Sequence, residues 1–329
     1  MKVCHFISSI GLGRGEFYVD LVNELSQHAE LYLLIPHNAK FLHRINSRIT
    51  VIEYRAKDTR LNPFLLIEIY KHLKAIQPDI VHTHFAKATE IFYWINKILG
   101  FKHIATKHNP RKGKIFNKIA YVTAVSEKVA QSIQKENVKV IYNGLIPLNI
   151  QPQSKQNAIF TLCCVGRLDK IKGYDILIKE CSKLSFDFVL NIIGDGDEKE
   201  NLSKLIQELQ LEDKVFLCGF REDIETIMSC SDLIVISSHS EGFSLVMVEA
   251  LFYAPMLIST RVSGAIEILS NTFLIDGFHI ADKINMLHAH YDDFRIEFDT
   301  LRDRTKNNFL LSHIALEYIH YYLEVIQDA

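Results

Sequence analysis

No stretch of this 329-residue chain approaches the ~18 continuous apolar residues that a membrane-spanning helix requires, so any membrane contact is expected to be peripheral. The first eleven residues, Met1 to Gly11, carry one positive charge and an apolar run broken by His5, Ser8 and Ser9. That is too short and polar for a signal peptide, and it reads as a first buried strand. The six cysteines (Cys4, Cys163, Cys164, Cys181, Cys218 and Cys230) show neither a C-x-x-C pair nor any other metal-ligand spacing. This argues against a cysteine zinc site and suits reduced core thiols of a cytosolic protein. Low-complexity stretches and short repeats are missing. Basic residues are dispersed and no nucleic-acid-binding motif accompanies them, so nucleic acid is not an expected partner.

What is present is an ordinary globular composition, 48% hydrophobic and 23% charged, in a chain long enough for two domains of roughly 150 residues each. The net charge of -2 hides an asymmetry. Residues 1–150 hold 21 Lys+Arg against 11 Asp+Glu, and residues 151–329 hold 16 against 28, so the halves carry +10 and -12. A basic first half suits an anionic partner such as a phospholipid surface or a phosphorylated acceptor.

Apolar runs at 3–8, 31–35, 49–53, 79–83, 103–106, 121–125 and 138–142 read as strands separated by helix-length patterns, an alternation that argues for a doubly wound parallel sheet. The polar segment from Ile146 to Asn157, with two prolines and no apolar period, reads as a linker. Strand-like runs resume at 160–165, 188–193, 214–218, 233–236, 256–259 and 272–275. The expected organisation is α/β: a first Rossmann-like domain at 1–148, a second at 149–311, and a helix at 312–329 packing back on the first. Ile314, Leu316, Ile319, Tyr322, Leu323 and Ile326 are expected on the buried face of that helix.

Several loops carry chemistry. Ser240-Glu241-Gly242-Phe243-Ser244-Leu245-Val246-Met247-Val248-Glu249-Ala250 places two acids eight residues apart, about 12 Å at the helical rise, a span that suits the two ends of a nucleotide sugar. Alone, the pair also reads as a solvated loop acid and a helix-surface charge. Glu249 lies in an apolar run where a charge needs a partner. Gly166-Arg167-Leu168-Asp169-Lys170-Ile171-Lys172-Gly173 leaves a strand with two cations suited to a diphosphate, or simply solvated. Gly194-Asp195-Gly196-Asp197 reads first as a tight turn with Asp197 capping the next helix, and second as a Mg²⁺ site. Val262 to Glu267 is a glycine turn ahead of a helix start, whose amides would face an anion, a weak motif by itself. Gly11-Leu12-Gly13-Arg14-Gly15-Glu16 fails the dinucleotide pattern G-x-G-x-x-G, because Glu16 stands at its third glycine. His82, His84 and His108 end two strands. Zinc is one reading, but no Cys or carboxylate accompanies them at ligand spacing, and His108, before a proline-stiffened loop, is the better candidate for holding a sugar hydroxyl.

The segments G-R-L-x-K-x-K-G (Gly166 to Gly173), I-G-D-G (Ile193 to Gly196) and E-G-F-S-L-V-M-V-E-A (Glu241 to Ala250), in that order, resemble the GT4 family of retaining glycosyltransferases. Pro78 to His84, Thr106 to His108, Val125-Ser126 and Ile141 to Gly144 are similar as well. The resemblance implies a GT-B fold, with two Rossmann-like domains facing a central cleft and a C-terminal helix crossing back. It implies that Arg167 and Lys172 hold the diphosphate, Glu249 the ribose and Glu241 the donor sugar. Gly194, Gly242, Phe243, Ser244 and Leu245 complete the donor side. His108 touches the transferred sugar, and Gly13, Arg14, Gly15 and His84 lie on the acceptor side. No metal or cofactor is implied, the nucleotide sugar being a co-substrate. The sequence departs from the family at Gly13 to Glu16, where G-R-G-E replaces G-G-x-E, and at Ser263-Gly264.

The resulting expectation is a cytoplasmic transferase, peripheral at the inner membrane face, that moves a sugar from a UDP-sugar to a glycan or glycolipid acceptor in lipopolysaccharide, lipid-linked oligosaccharide or other cell-surface polysaccharide synthesis. A nucleotide-sugar 2-epimerase and a noncatalytic nucleotide-sugar-binding protein are the alternatives.

Overall fold

Short β-branched and apolar runs form strands buried on both faces, and amphipathic segments between them return the chain. A computed structural model describes residues 1–11, 17–111, 113–150, 159–277 and 279–328. The chain divides into two units, Met1–Ile146 with Phe309–Ala329, and Pro147–Asn308.

In the first unit β1 (Lys2–Ile7), α1 (Phe17–Leu25), β2 (Glu30–Pro36), β3 (Thr50–Tyr54), α2 (Pro63–Ile76), β4 (Ile80–His84), α3 (Phe85–Leu99), β5 (Lys102–Lys107), β6 (Tyr121–Ala124), α4 (Glu127–Gln131) and β7 (Val138–Val140) follow in turn. The sheet order is β3-β2-β1-β4-β5-β6-β7, with every pairing parallel. Local chemistry sets the helix ends. At α2, Pro63 follows Asn62, whose side chain accepts from the Phe64 amide at 3.1 Å, and the helix stops at Gln77 in the left-handed region.

The second unit contains β8 (Phe160–Val165), α5 (Tyr174–Cys181), β9 (Phe188–Ile193), α6 (Lys199–Glu208), β10 (Val215–Gly219), α7 (Ile224–Ser229), β11 (Leu233–Ile236), α8 (Leu245–Tyr253), β12 (Leu257–Thr260), α9 (Ala265–Ile268), β13 (Leu274–Ile275), α10 (Ile280–Ala289) and α11 (Tyr291–Thr305). Its sheet order is β10-β9-β8-β11-β12-β13, again parallel. The chain then returns to the first unit through α12 (Leu311–Gln327), entered where the Leu145 amide bonds the Phe309 carbonyl at 2.9 Å.

In each sheet the order reverses beside the first strand of the unit, between β1 and β4 and between β8 and β11. Open parallel sheets bind ligands outside the strand ends at such points.

Several expectations need correction. The run at 138–142 is a strand only to Val140, and the one at 272–275 only from Leu274, after a 3-10 turn at Asn271–Phe273. Cys218 is exposed rather than a core thiol, because β10 is an edge strand with alternating burial. The buried stripe of α12 is Leu311, Ile314, Ala315, Tyr318, Tyr321, Tyr322 and Val325, while Leu316, Leu323 and Ile326 face outward. Tyrosines outcompete aliphatics there because the sheet face they cover is polar. Cys4, Phe6 and Val81 point into an apolar cluster with α2 and α3. His5, His82, His84, Thr106 and Thr123 are fully buried in the same sheet without belonging to that cluster.

Candidate functional site

In the second unit the strand tips carry charge. After β8 the chain makes a 3-10 turn at Lys170–Lys172, where the Asp169 side chain accepts from the Ile171 amide at 3.1 Å. After β11 it passes Ser237, Ser238 and Glu241 before entering α8. The two loops meet: Lys172 Nζ donates to Glu241 Oε1 at 2.6 Å, and Ser238 Oγ donates to the same oxygen at 2.7 Å. The side chains are 20% and 14% exposed, so the pair is largely desolvated but open on one side. Glu241 Oε2 takes no bond from any described residue. The Ser237 hydroxyl donates to the Lys172 carbonyl at 2.8 Å and the His239 amide to the Ile171 carbonyl at 2.8 Å, which fix the two loops together.

Arg167 behaves differently from the simple expectation of two free cations. Its guanidinium forks onto Asp169, with Nε to Oδ2 at 2.8 Å, and remains 64% exposed. The acid two residues away, unassigned in the sequence reading, is its resting partner.

The Gly194 turn is a spacer. A Cβ on Gly194 would stand 2.0 Å from the Gly166 carbonyl oxygen, and one on Gly196 would stand 2.4 Å from that of Leu168. Backbone thus lies on backbone: the Gly166 amide bonds the Ile193 carbonyl and the Leu168 amide bonds that of Asp195, both at 2.9 Å. Gly194 spends its own amide on the Gly219 carbonyl, so its part is to let the Arg167–Lys172 loop approach. Asp195 accepts from the Gly196 amide at 2.9 Å and faces Lys199. Asp197 does not cap α6, whose N-cap position is Glu198 with no side-chain bond.

Helix α8 begins at Leu245, so only four of the eight steps from Glu241 to Glu249 are helical, about 6 Å of rise, and the rest of the span runs through the loop before the helix. The Ser244 hydroxyl caps the helix by accepting from the Met247 amide at 3.3 Å. Phe243 is buried against Gly264, where a Cβ would stand 2.6 Å from its ring. Gly242, Leu245 and Glu249 are partly exposed. At the Val262 to Glu267 turn the Gly264 amide donates to the Glu267 carboxylate at 3.3 Å, so an internal acid takes the expected anion's place.

The first unit has imidazoles where the second has ions. Gly13, Arg14 and Gly15 lie outside the described residues. His84 ends β4 and pairs in register with Ile7 of β1 and Thr106 of β5. Its Nδ1 lies 3.1 Å from His108 Nε2, and its Nε2 lies 3.0 Å from His5 Nδ1. His82 stacks on His84 with ring centroids 4.4 Å apart. Loss of solvation pulls His5 down to about 3 and His108 to about 4, and it holds His82 and His84 well below the usual imidazole range. All four are neutral at pH 7.

Phe85 opens α3 directly after β4 with φ of 67°, an outlier for a bulky residue. Its ring sits 4.4 Å from that of His108. His5, Tyr322, Phe85, Asp169 and Ser238 are the site neighbours missed in the sequence. The available signal was His5 itself, an imidazole inside an otherwise apolar strand run, which stands in register with His82.

Residues 13–147 match the family described as Glycosyltransferase Family 4, and residues 148–308 match that of Glycosyl transferases group 1. The chain belongs to this glycosyltransferase family. Among curated relatives, an N-acetylgalactosaminyltransferase of Campylobacter jejuni, named for an N-acetylgalactosamine-N,N'-diacetylbacillosaminyl-diphospho-undecaprenol acceptor, is 31% identical over 182 residues, 54% of this chain. The match spans about half of that relative, 49%. The lipopolysaccharide core biosynthesis glycosyltransferase LpsE of Rhizobium meliloti is 24% identical over 80% of each chain. The crystal structure of Anabaena HepE in complex with UDP-glucose superposes with a TM-score of 0.85 at 19% identity, over 98% of this chain and 100% of the other. That likeness shows the GT-B fold. Both family segments cover the strand tips described above. Among the described residues no helix is long and apolar enough to cross a membrane.

Proposed function

We propose that the protein is a retaining, metal-independent glycosyltransferase that moves a sugar from a nucleotide sugar, a UDP-sugar first, to a glycan or glycolipid acceptor in lipopolysaccharide or lipid-linked oligosaccharide assembly. The observation that carries this reading is the Lys172–Glu241–Ser238 group at the end of β11. At rest the cation and the acid neutralise each other. An arriving diphosphate draws Lys172 to itself and frees Glu241 Oε1, beside the open Oε2, to accept from the donor sugar's hydroxyls. Arg167 exchanges Asp169 for a phosphate oxygen in the same way, so two cations offset the charge of the departing nucleoside diphosphate. The leaving phosphate takes the acceptor's proton, and no protein base is required. Glu249 is assigned to the ribose, and His108 to a hydroxyl of the transferred sugar. Named relatives that act on lipopolysaccharide core and undecaprenol-linked sugars, and a fold neighbour bound to UDP-glucose, support these substrate classes.

Peripheral contact at the inner face of an anionic membrane fits the first unit. Leu61, Phe64 and Ile98 are 79%, 75% and 76% exposed on and beside α2 and α3. Lys97 lies over the ring of Trp94 at 4.3 Å in the same region. The test is incubation with a panel of nucleotide sugars and lipid-linked acceptors, following nucleotide release and product mass. Glycosylated acceptor is the expected product. Sugar epimerised without transfer, or donor bound and left intact, would overturn the reading.

A further inference from the structure

The buried polar groups of the first unit form one unbroken line. Thr123 Oγ1 lies 2.6 Å from Thr106 Oγ1, which lies 2.6 Å from His82 Nε2. His82 Nδ1 lies 2.6 Å from the Tyr322 hydroxyl, which lies 3.2 Å from His5 Nε2. His5 Nδ1 lies 3.0 Å from His84 Nε2, and His84 Nδ1 lies 3.1 Å from His108 Nε2. Four strands and the returning helix α12 contribute to it. We propose that this line is a directional hydrogen-bonded chain that holds His5, His82, His84 and His108 in a single common tautomer, with Tyr322 of α12 as the positioning residue that couples them.

The inference follows from counting hydrogens. Each hydroxyl brings one, and each neutral imidazole brings one. A contact between two ring nitrogens needs one hydrogen between them: none leaves two lone pairs facing, and two leaves a clash. Two senses satisfy every contact. If Thr123 donates toward His82, then His82 donates through Nδ1 to Tyr322, Tyr322 donates to His5 Nε2, His5 donates through Nδ1 to His84, and His84 donates through Nδ1 to His108. All four rings then carry Nδ1–H. In the opposite sense all four carry Nε2–H. Mixed tautomers leave a broken contact, and a Tyr322 oxygen accepting from both sides strands its own hydrogen, since the hydroxyl has no other partner among the described residues.

Thr123 is fully buried, and its hydroxyl meets that of Thr106 and, together with Thr106, the buried hydroxyl of Tyr318. A hydroxyl hydrogen at this end therefore has an oxygen to meet in either sense, and the four rings share one tautomer in both. His108 ends the chain with its Nδ1, a donor in one sense and an acceptor in the other, bonded to no described residue.

The ring nitrogens of His5, His82 and His84 also lie within 4.8 Å of one another, a spacing that a metal ion could use. All six of these nitrogens are engaged in the chain, and among the described residues no carboxylate bonds any of the three rings to offset a dication. That His108 aims its Nδ1 at a sugar hydroxyl rests on the proposed function; the common tautomer does not.

Long-range ¹⁵N–¹H spectra of the labelled full chain at pH 7 test it directly. The expected result is four neutral rings of one tautomer, all with a protonated Nδ1 or all with a protonated Nε2. A mixed set, an imidazolium among the four, or displacement of their ring protons by one equivalent of zinc would overturn the proposal. Tyr322→Phe should uncouple His82 from His5, His84 and His108, so that the four rings no longer share a tautomer, and lower kcat about tenfold, short of the ~10² lost when a direct donor is removed, with donor KM within about twofold. Tyr321→Phe, on the same helix and outside the chain, should change neither reading. Four rings still of one tautomer in Tyr322→Phe would overturn the coupling. A protein that transfers no sugar yet shows the common tautomer would sink the functional reading alone.

Discussion

Both units carry a parallel sheet that reverses order beside its first strand, yet the two reversal points are furnished in opposite ways. Beside β8 and β11 the side chains are ions and hydroxyls: Lys172 on Glu241, Arg167 on Asp169, with Ser238 closing the group. Beside β1 and β4 they are uncharged rings bonded to one another and to threonine and tyrosine hydroxyls. An ion pair open on one side can exchange partners with an incoming anion at little cost. A neutral network can hold a hydroxyl in place but offers no charge to a diphosphate. One backbone plan thus carries two different chemistries at its strand tips.

The comparison can be broken most severely at the ion pair. Lys172→Ala and Glu241→Ala should each lower kcat/KM by at least ~10², with the melting of the first unit unchanged; turnover of the donor and fluorescence of Trp94, the sole tryptophan and in α3, give both readings. Retained activity in both variants would remove the second unit's charged group from the reaction.

Acid should separate the units. The folded pKa values of His5, His103 and His108, about 3, 3 and 4, lie below the unfolded value near 6.5, as do those of His82 and His84. Between those limits the unfolded chain binds more protons. Stability is therefore full above about pH 6.5 and is lost as pH falls toward the folded values, by up to ~1.4 kcal/mol per pH unit for each ring. Urea midpoints followed by Trp94 at pH 7 and pH 5 should differ sharply, and equal midpoints would mean the rings are not held neutral.

Gly194→Ala should cost about 2–3 kcal/mol, because the new methyl meets the Gly166 carbonyl and must push away the loop bearing Lys172. Calorimetry should show the loss in the second unit only. The smallest effect is expected at Phe85→Asn, within about 1 kcal/mol in urea denaturation, since relief of the positive φ offsets lost ring contact.

Much of this architecture is legible in the sequence. The runs at 160–165, 188–193 and 233–236 coincide with β8, β9 and β11, because buried parallel strands must be continuously apolar. The link between Lys172 and Glu241 was legible only in outline, as neighbouring strand tips. Partners that depend on tertiary placement were hidden: nothing in the local pattern says that Tyr322 reaches His82 from 240 residues away. Periodicity misjudged α12 for the same reason, since hydropathy ranks tyrosine below leucine whereas a polar sheet face prefers a ring with a hydroxyl. The helix start at Leu245 escaped because Ser244 and Glu241 suit a helix or a loop equally until the cap is seen.

Calorimetric binding of UDP to the wild-type chain, Lys172→Ala and His108→Ala tests the division between the units most directly. The expected result is a Kd weakened at least tenfold by Lys172→Ala and unchanged within about twofold by His108→Ala. A UDP affinity that falls with His108→Ala and survives Lys172→Ala would contradict it.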